Sequence, residues 1–503
     1  MKRAVPNWAL PLGSAAVALA AFLLVKDSLT DDAYITLAYA KNLAVHGEWA
    51  LVPGMPSNSA TSPLNVLLLG ALTAATRLFG TGPHPVIALG VLSVGAAAVL
   101  GWGWGRLAAA LRFSTAVAFL GAVLVLVNPF VLSAIGLEVL LIPALLVLLT
   151  VFATEERPLL YGAVSGLALL TRPDLIVFVV VIALSTPAIR RGLLRSALAA
   201  IAVAAPWYLF SWFAFGSALP DTLVIKQAQA DLFGRWSFFS GPAMYYLSRS
   251  VVVLLSFGPA LVGVLAWFAL VAVRFSARWE RFPPVGALAG LGAGGIAHYI
   301  AYSLLDVGPY HWYYGTPITS LGMFAVAALG LWLARSRERE VLLSRGPLTA
   351  LGAVALLLLG AVAVDVKQGV PWRSPVIFGN WASAQDYARV GRELKERVGA
   401  ATVRSPGEIG TLAYYCECSI VDPFSDRGYV TDMVRERIDE AGPVTSALLR
   451  LNYLWFDYSR EPRPLDYRLL YERGPGGGPN TWQVYSAARG VGHFTLVPAE
   501  GRR

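Results

Sequence analysis

Cysteine is nearly absent from this chain. Cys416 and Cys418 are the only two among 503 residues, too few for a disulfide scaffold or a cysteine-built zinc site. A bridge across one residue would be strained, so the pair is either two thiols or a small redox-sensitive loop. Charge is scarce too: Asp, Glu, Lys and Arg make up 14% of the chain, 56% is hydrophobic, and the mean hydropathy is +0.59. No single aqueous domain can hide that much apolar surface, which excludes an ordinary soluble protein. The chain also lacks a Walker loop, a Rossmann fingerprint and a His-Glu-x-x-His motif, so nucleotide-driven transport and standard metallohydrolase chemistry have no support. The net charge of +9 comes mostly from arginines in short segments between apolar runs. Such clusters are topology signals whose counter-charge is anionic lipid, and they do not point to a nucleic-acid partner.

What is present is a series of membrane-length apolar runs. The first, residues 8–25, follows Met1-Lys2-Arg3, which keeps the N-terminus cytoplasmic, and acids rather than a small-residue cleavage site follow it. Ten more runs lie near residues 84–104, 114–128, 139–153, 159–171, 175–189, 196–215, 246–273, 284–304, 314–334 and 346–366. Residues 63–79 are ambiguous. If they crossed, every later arginine cluster (Arg106 and Arg112, Arg190 to Arg195, Arg274 to Arg281, Arg335 to Arg345) would face outward. A membrane-associated 63–79 segment keeps them cytoplasmic and gives a polytopic α-helical protein of about eleven spans. Residues 1–366 then form the membrane domain, with a first extracytoplasmic loop at 26–62. Residues 367–503 have mixed composition and read as a soluble extracytoplasmic α/β domain. Its expected helices are 381–398 and 408–415, and its expected strands 401–404, 419–422, 454–458, 467–472, 481–486 and 494–497.

This parity gathers the unusual polar residues on one outer face: Asp31, Asp32, Glu138, Arg172, Asp174, Asp221, Lys226, Asp306 and His311. Ionisable groups near membrane depth are costly and tend to line a cavity. Asp31 and Asp32 open a helical stretch, Ala33 to His46, ended by Gly47, where acids suit the helix dipole. A carboxylate there can also take a proton from an acceptor hydroxyl, and spacing does not rank the two. Arg172 and Asp174 could form a turn salt bridge, or Asp174 could aim the guanidinium fork at a phosphate. Lys226 could neutralise the same phosphate or anchor at the interface. His311-Trp312-Tyr313-Tyr314 matches an interfacial aromatic belt, but the histidine and the preceding Gly308-Pro309 suggest a loop over a cavity, with rings for sugar stacking.

Asp31-Asp-Ala-Tyr34 through Leu43, followed by Thr61-Ser-Pro-Leu64, resembles the first extracytoplasmic loop of the GT-C superfamily of membrane glycosyltransferases. Gly136-Leu-Glu138, Thr171-Arg-Pro-Asp174, Phe215 to Pro220, His311 to Tyr314, Gly407 to Gly410 and Val421-Asp422 follow in the order of a branch that includes the mycobacterial terminal arabinofuranosyltransferase. The chain departs from that branch at Ala38, where arginine is usual. The resemblance implies catalytic roles for Asp31 or Asp32 and substrate contacts from Tyr34, Glu138, Arg172, Asp174, Lys226, His311, Trp312, Tyr313 and Tyr314. It implies a polyprenyl-phosphate sugar as donor, with arabinofuranose or mannose transferred to a cell-envelope glycan, lipid or protein acceptor on the extracytoplasmic side of the cell inner (plasma) membrane. A divalent cation is compatible with the acids, and no cofactor is firmly implied. The competing classes are a lipid-sugar flippase and a non-catalytic envelope assembly factor.

Overall fold

The computed structural model describes residues 8–80, 82–274, 285–305, 307–338, 375–499 and scattered positions between 352 and 367. The expected span at 346–366 therefore falls largely outside the described residues, as do Asp306, Arg278, Arg281, Arg339 and Arg345.

The helices begin where the chain supplies N-terminal signals. After α1 (Ala9–Val25), Thr30 in extended conformation precedes α2 (Asp31–His46), and Gly47 at φ +69° closes it, as a left-handed terminator should. A short hairpin follows, β1 (Ala50–Val52) with β2 (Met55–Pro56). Proline at the first turn opens α3 (Pro63–Thr76), α4 (Pro85–Leu111) and, after α5 (Thr115–Leu126), the single turn α6 (Pro129–Leu132). Then come α7 (Leu141–Thr154), α8 (Pro158–Thr171), α9 (Ile176–Ser185), α10 (Pro187–Arg191) and α11 (Leu193–Phe215). The set continues with α12 (Thr222–Ala228), α13 (Gly241–Arg274, kinked at Arg249), α14 (Gly286–Leu304) and α15 (Gly315–Glu338).

Four helical stretches among the described residues are long and apolar enough to cross a membrane: Pro85–Leu111, Leu193–Phe215, Gly241–Val273 and His311–Arg335. Six shorter apolar helices accompany them, including Ala9–Val25 and Pro63–Phe79. Leu194, Leu198, Ile201 and Phe213 on α11 and Leu247, Leu254, Leu261 and Leu265 on α13 are exposed. Continuous apolar surface of this extent belongs against lipid, and the chain is a multi-pass membrane protein. Small residues allow the helices to approach: a Cβ on Gly162 of α8 would lie 2.2 Å from the Ser196 carbonyl oxygen of α11.

Past residue 375 the chain builds α16 (Ala384–Val398), α17 (Gly410–Cys416), α18 (Val430–Glu440) and α19 (Pro443–Asn452). They pack beside a mixed five-stranded sheet ordered β4-β3-β5-β7-β6. Its strands are β3 (Val403–Arg404), β4 (Ile420–Val421), β5 (Tyr467–Arg473), β6 (Thr481–Ser486) and β7 (Gly490–Pro498). β3 runs parallel to both β4 and β5, and β7 pairs antiparallel with β5 and β6. Ser383 caps α16 by accepting from the Asp386 amide at 3.1 Å, and Tyr387, Val390, Leu394 and Val398 form its buried stripe.

The strand expected at 454–458 is absent. Tyr453 ends α19, and Asp457 accepts from the Ser459 amide at 3.1 Å, turning the chain where the apolar content suggested extension. Helices α18 and α19 were not anticipated, although Val430, Val434 and Ile438 recur at helical spacing on the buried side. Cys416 and Cys418 are joined as a disulfide at the end of α17.

Two polar clamps hold this sheet-and-helix part against the helices before it. Asn380 Oδ1 accepts from the Thr30 hydroxyl at 2.9 Å and the Asp31 amide at 3.3 Å. Arg427 donates to both oxygens of Asp221, at 2.8 and 3.1 Å, to the Ser217 hydroxyl at 3.1 Å and to the Phe215 carbonyl.

Candidate active site

A small cavity of about 40 Å³ lies where α2, the loop at 59–62, α12, Trp312-Tyr313 and Phe424 converge. Asp32 stands in the first turn of α2, and its Oδ1 accepts from Lys226 Nζ at 3.2 Å. Lys226 is enclosed by rings, 4.3 Å from the Tyr310 centroid, 5.4 Å from Trp312 and 5.2 Å from Phe424. Burial opposes its charge, but Asp32 together with Tyr310 and Tyr313 outweighs that penalty and holds the ammonium above its usual pKa. Ser59, Thr61, Ser62 and Thr222 add hydroxyls to the rim.

Arg172, at the end of α8, reaches the cavity wall already engaged by three partners. It donates to Glu138 Oε1 at 2.7 Å, to Asp174 Oδ1 at 2.9 Å and to the Tyr302 hydroxyl at 2.5 Å, and its Cζ lies 5.1 Å from the Tyr313 ring centroid. Asp174 Oδ2 pairs with His298 Nε2 at 2.7 Å. The guanidinium is thereby locked in one orientation, and Glu138 is spent on it.

Six of the residues expected from the sequence meet here: Asp32, Glu138, Arg172, Lys226, Trp312 and Tyr313. Five do not line the cavity. Asp31 points its carboxylate at α17, accepting from the Gly410 amide at 2.9 Å and the Thr411 amide at 2.8 Å. Burial pushes its carboxyl up to about 6 even though those two amides favour the charge. Tyr34 is packed 5.4 Å from Tyr414 and 5.8 Å from Tyr415, on the same flank as Asp31. Neighbouring helical positions diverge by about 100°, so Asp31 and Asp32 cannot share a target. Asp174 sits behind Arg172 as its orienter. His311 is buried with Nε2 3.2 Å from the Ser133 carbonyl, and Tyr314 stacks on Phe238 and donates to its carbonyl at 2.6 Å. These two hold the 311–314 turn in place and leave Trp312 and Tyr313 to face the cavity.

No family model matches the chain, and no curated protein matches it by sequence. Solved structures do match. ArnT from Cupriavidus metallidurans in the apo state aligns over 96% of this chain and 97% of its own, at 15% identity and a TM-score of 0.51. The oligosaccharyltransferase AglB from Archaeoglobus fulgidus, in complex with an inhibitory peptide and a dolichol-phosphate, aligns over 92% of this chain and 69% of its own, at 12% identity and a TM-score of 0.53. The same archaeal enzyme tethered to an acceptor peptide containing the NVT sequon gives 13% identity and 0.53 over 92% of this chain and 68% of its own. The chain shares the fold of ArnT and of the archaeal oligosaccharyltransferase.

Within this fold, the sequence reading missed the hydroxyl rim, Phe424, Tyr310 and His298. Thr61 and Ser62 were visible as part of the Thr61-Ser-Pro-Leu64 block, and His298 as an ionisable residue inside an apolar run. Phe424 carried no signal, because it arrives from a segment nearly 400 residues beyond Asp32. Among the described residues no group of three or more His, Cys, Asp or Glu is placed to hold a metal ion. The cavity's two carboxylates are paired with Lys226 and Arg172, a donor set that does not fit a divalent cation.

Proposed function

We propose that this protein is a membrane glycosyltransferase. In this reading it takes a sugar, arabinofuranose or mannose, from a polyprenyl-phosphate carrier and passes it to a hydroxyl of a cell-envelope glycan, lipid or protein. The reading includes eleven spans over residues 1–366, a cytoplasmic N-terminus, and residues 367–503 as an α/β domain on the extracytoplasmic side of the plasma membrane. The single observation that carries it is the Asp32–Lys226 pair at a polar, ring-lined cavity within a GT-C fold.

Lys226 occupies Asp32 Oδ1 and leaves Oδ2 for an acceptor hydroxyl. As the bond from the anomeric carbon to the phosphate oxygen breaks, the acceptor oxygen bonds to that carbon and its proton passes to Asp32. The electron pair leaves with the phosphate, and Lys226 is the cation within reach of its growing charge. Polyprenyl phosphate and the glycosylated acceptor are the products. Arg172 serves this reading as a fixed positive wall, since Glu138, Asp174 and Tyr302 already claim three of its donors.

The test is direct. Purified protein is incubated with labelled polyprenyl-phosphate sugars and a panel of acceptors, and free polyprenyl phosphate and labelled product are measured. Transfer that disappears in Asp32→Asn supports the reading. Movement of the carrier between leaflets with no product would make the protein a flippase, and neither event would leave an assembly factor.

A further inference from the structure

A second, larger cavity opens on the sheet side of the same wall. It measures about 550 Å³ and is lined by Trp381, Arg404, Asp422, Arg468, Tyr471 and Glu472, with Gln229 at its inner end. The first cavity and this cleft are divided by one stretch of chain: Asp422 and Pro423 face the cleft, and Phe424 faces Asp32. Gln229 caps the C-terminus of α12, the helix that carries Lys226, and accepts from the Tyr310 hydroxyl at 3.1 Å. Tyr310 in turn lies over Lys226.

The lining selects a ligand class. Two arginines face two carboxylates, so the cleft is close to neutral and disfavours a polyanion. Trp381 and Tyr471 stack with centroids 4.8 Å apart, supplying apolar ring surface among donors and acceptors. Arg404 lies 3.9 Å over the Tyr429 ring, which fixes its guanidinium as part of the cleft wall. Apolar faces edged with hydroxyls and little net charge describe a sugar chain, and the volume falls within the ~300–1,000 Å³ of small-ligand sites.

We infer that the cleft binds a neutral oligosaccharide, the acceptor chain, and holds it so that its end passes Phe424 and reaches Asp32. This deepens the reading above and rests on it for the direction of the chain, though not for the binding itself. The experiment uses the full-length protein in nanodiscs and saturation-transfer NMR with neutral mannose and arabinose tetrasaccharides as probes. Tetragalacturonate and a tetrapeptide serve as comparison ligands. The variant Arg468→Ala/Glu472→Ala alters two exposed side chains on β5 that the proposed chemistry does not use.

The expected result is binding of a neutral tetrasaccharide, weakened at least tenfold in the double variant, with a matching rise in KM for a tetrasaccharide acceptor. KM for the donor and the rate with a single-sugar acceptor should change less than twofold. Arg404→Lys, which keeps the charge and loses the fork, should weaken binding in the same direction. The inference is overturned if no neutral tetrasaccharide binds, if the double variant binds as well as the parent, or if tetragalacturonate or the peptide binds more tightly. Binding without transfer would instead sink the transferase reading and leave the cleft standing.

Discussion

Removing Arg427 should loosen the attachment of the sheet-bearing part, and the size of the effect follows from its surroundings. Its side chain is 7% exposed and that of its partner Asp221 1%, so the pair lies out of water. Burial pushes the Asp221 carboxyl above its usual range even with Arg427 alongside, meaning the intact pair adds little net stability. Breaking it is another matter. In Arg427→Met the charge on Asp221 is left uncompensated, a loss of about 3–5 kcal/mol. At roughly 2 °C per kcal/mol for a chain of this size, the thermal midpoint in detergent should fall by roughly 6–10 °C.

The deficit carries a pH signature. Burial raises the Asp221 carboxyl, and more so once Arg427 is gone, so it takes up a proton in the folded state and the penalty grows as pH rises above the usual carboxylate range. Asp221→Leu should relieve most of the loss when combined with Arg427→Met, because two apolar side chains can replace a buried pair at little cost. The double-mutant cycle should give a coupling of about 2 kcal/mol or more. Since Asp221 precedes the helix carrying Lys226, the single variant should also slow transfer. Midpoints within 2 °C of the parent at pH 8, or an additive cycle, would refute the reasoning.

Asp32→Asn should lower transfer at least ~100-fold with an unchanged thermal midpoint, whereas Asp31→Asn, away from the cavity, should retain measurable transfer; product formation by scintillation counting separates them. Lys226→Gln should reduce turnover about as much as Asp32→Asn while binding polyprenyl phosphate more weakly, read by competition. Gly410→Ala should lower the midpoint, because a Cβ there would stand 2.1 Å from the Asp31 carbonyl oxygen; an unchanged midpoint would show that α2 and α17 do not press together. The acids Asp31, Glu408 and Asp422 are pushed up by burial to about 6, 8 and 7. The folded state therefore binds more protons than the unfolded one across that range, and stability should fall as pH rises from about 5 to 8. A midpoint that rises over that interval would contradict the cluster's burial.

The polar blocks of the site could be read from the sequence because each breaks a pattern. Charged residues such as Arg172 and Glu138 stand out against apolar runs, and proline and glycine mark where α3, α4 and α8 start and where α2 stops. Direction was harder. Asp31 and Asp32 are chemically identical and adjacent, and only the docking of α17 on one flank of α2 sends one carboxylate to backbone amides and the other to Lys226. His311 and Tyr314 look as reactive as Trp312 and Tyr313 on paper. The tightness of the 311–314 turn divides them into two that brace and two that face the cavity. The stretch 454–458 misled for a related reason: its apolar and aromatic content suits a strand, but a partner strand must be available, and Asp457 offered a turn instead.

By itself the sequence determined that this chain lives in a membrane, where apolar runs must cross and polar groups must gather, and it supplied the short polar blocks that resemble a GT-C loop. Those properties depend on composition and local order, which do not change on folding. What only the tertiary structure decided is pairing: Lys226 with Asp32, Arg172 with three partners at once, and Phe424 closing a cavity begun at Asp32. Pairing across hundreds of residues depends on the directions in which packed helices aim their side chains, and no local pattern encodes those directions.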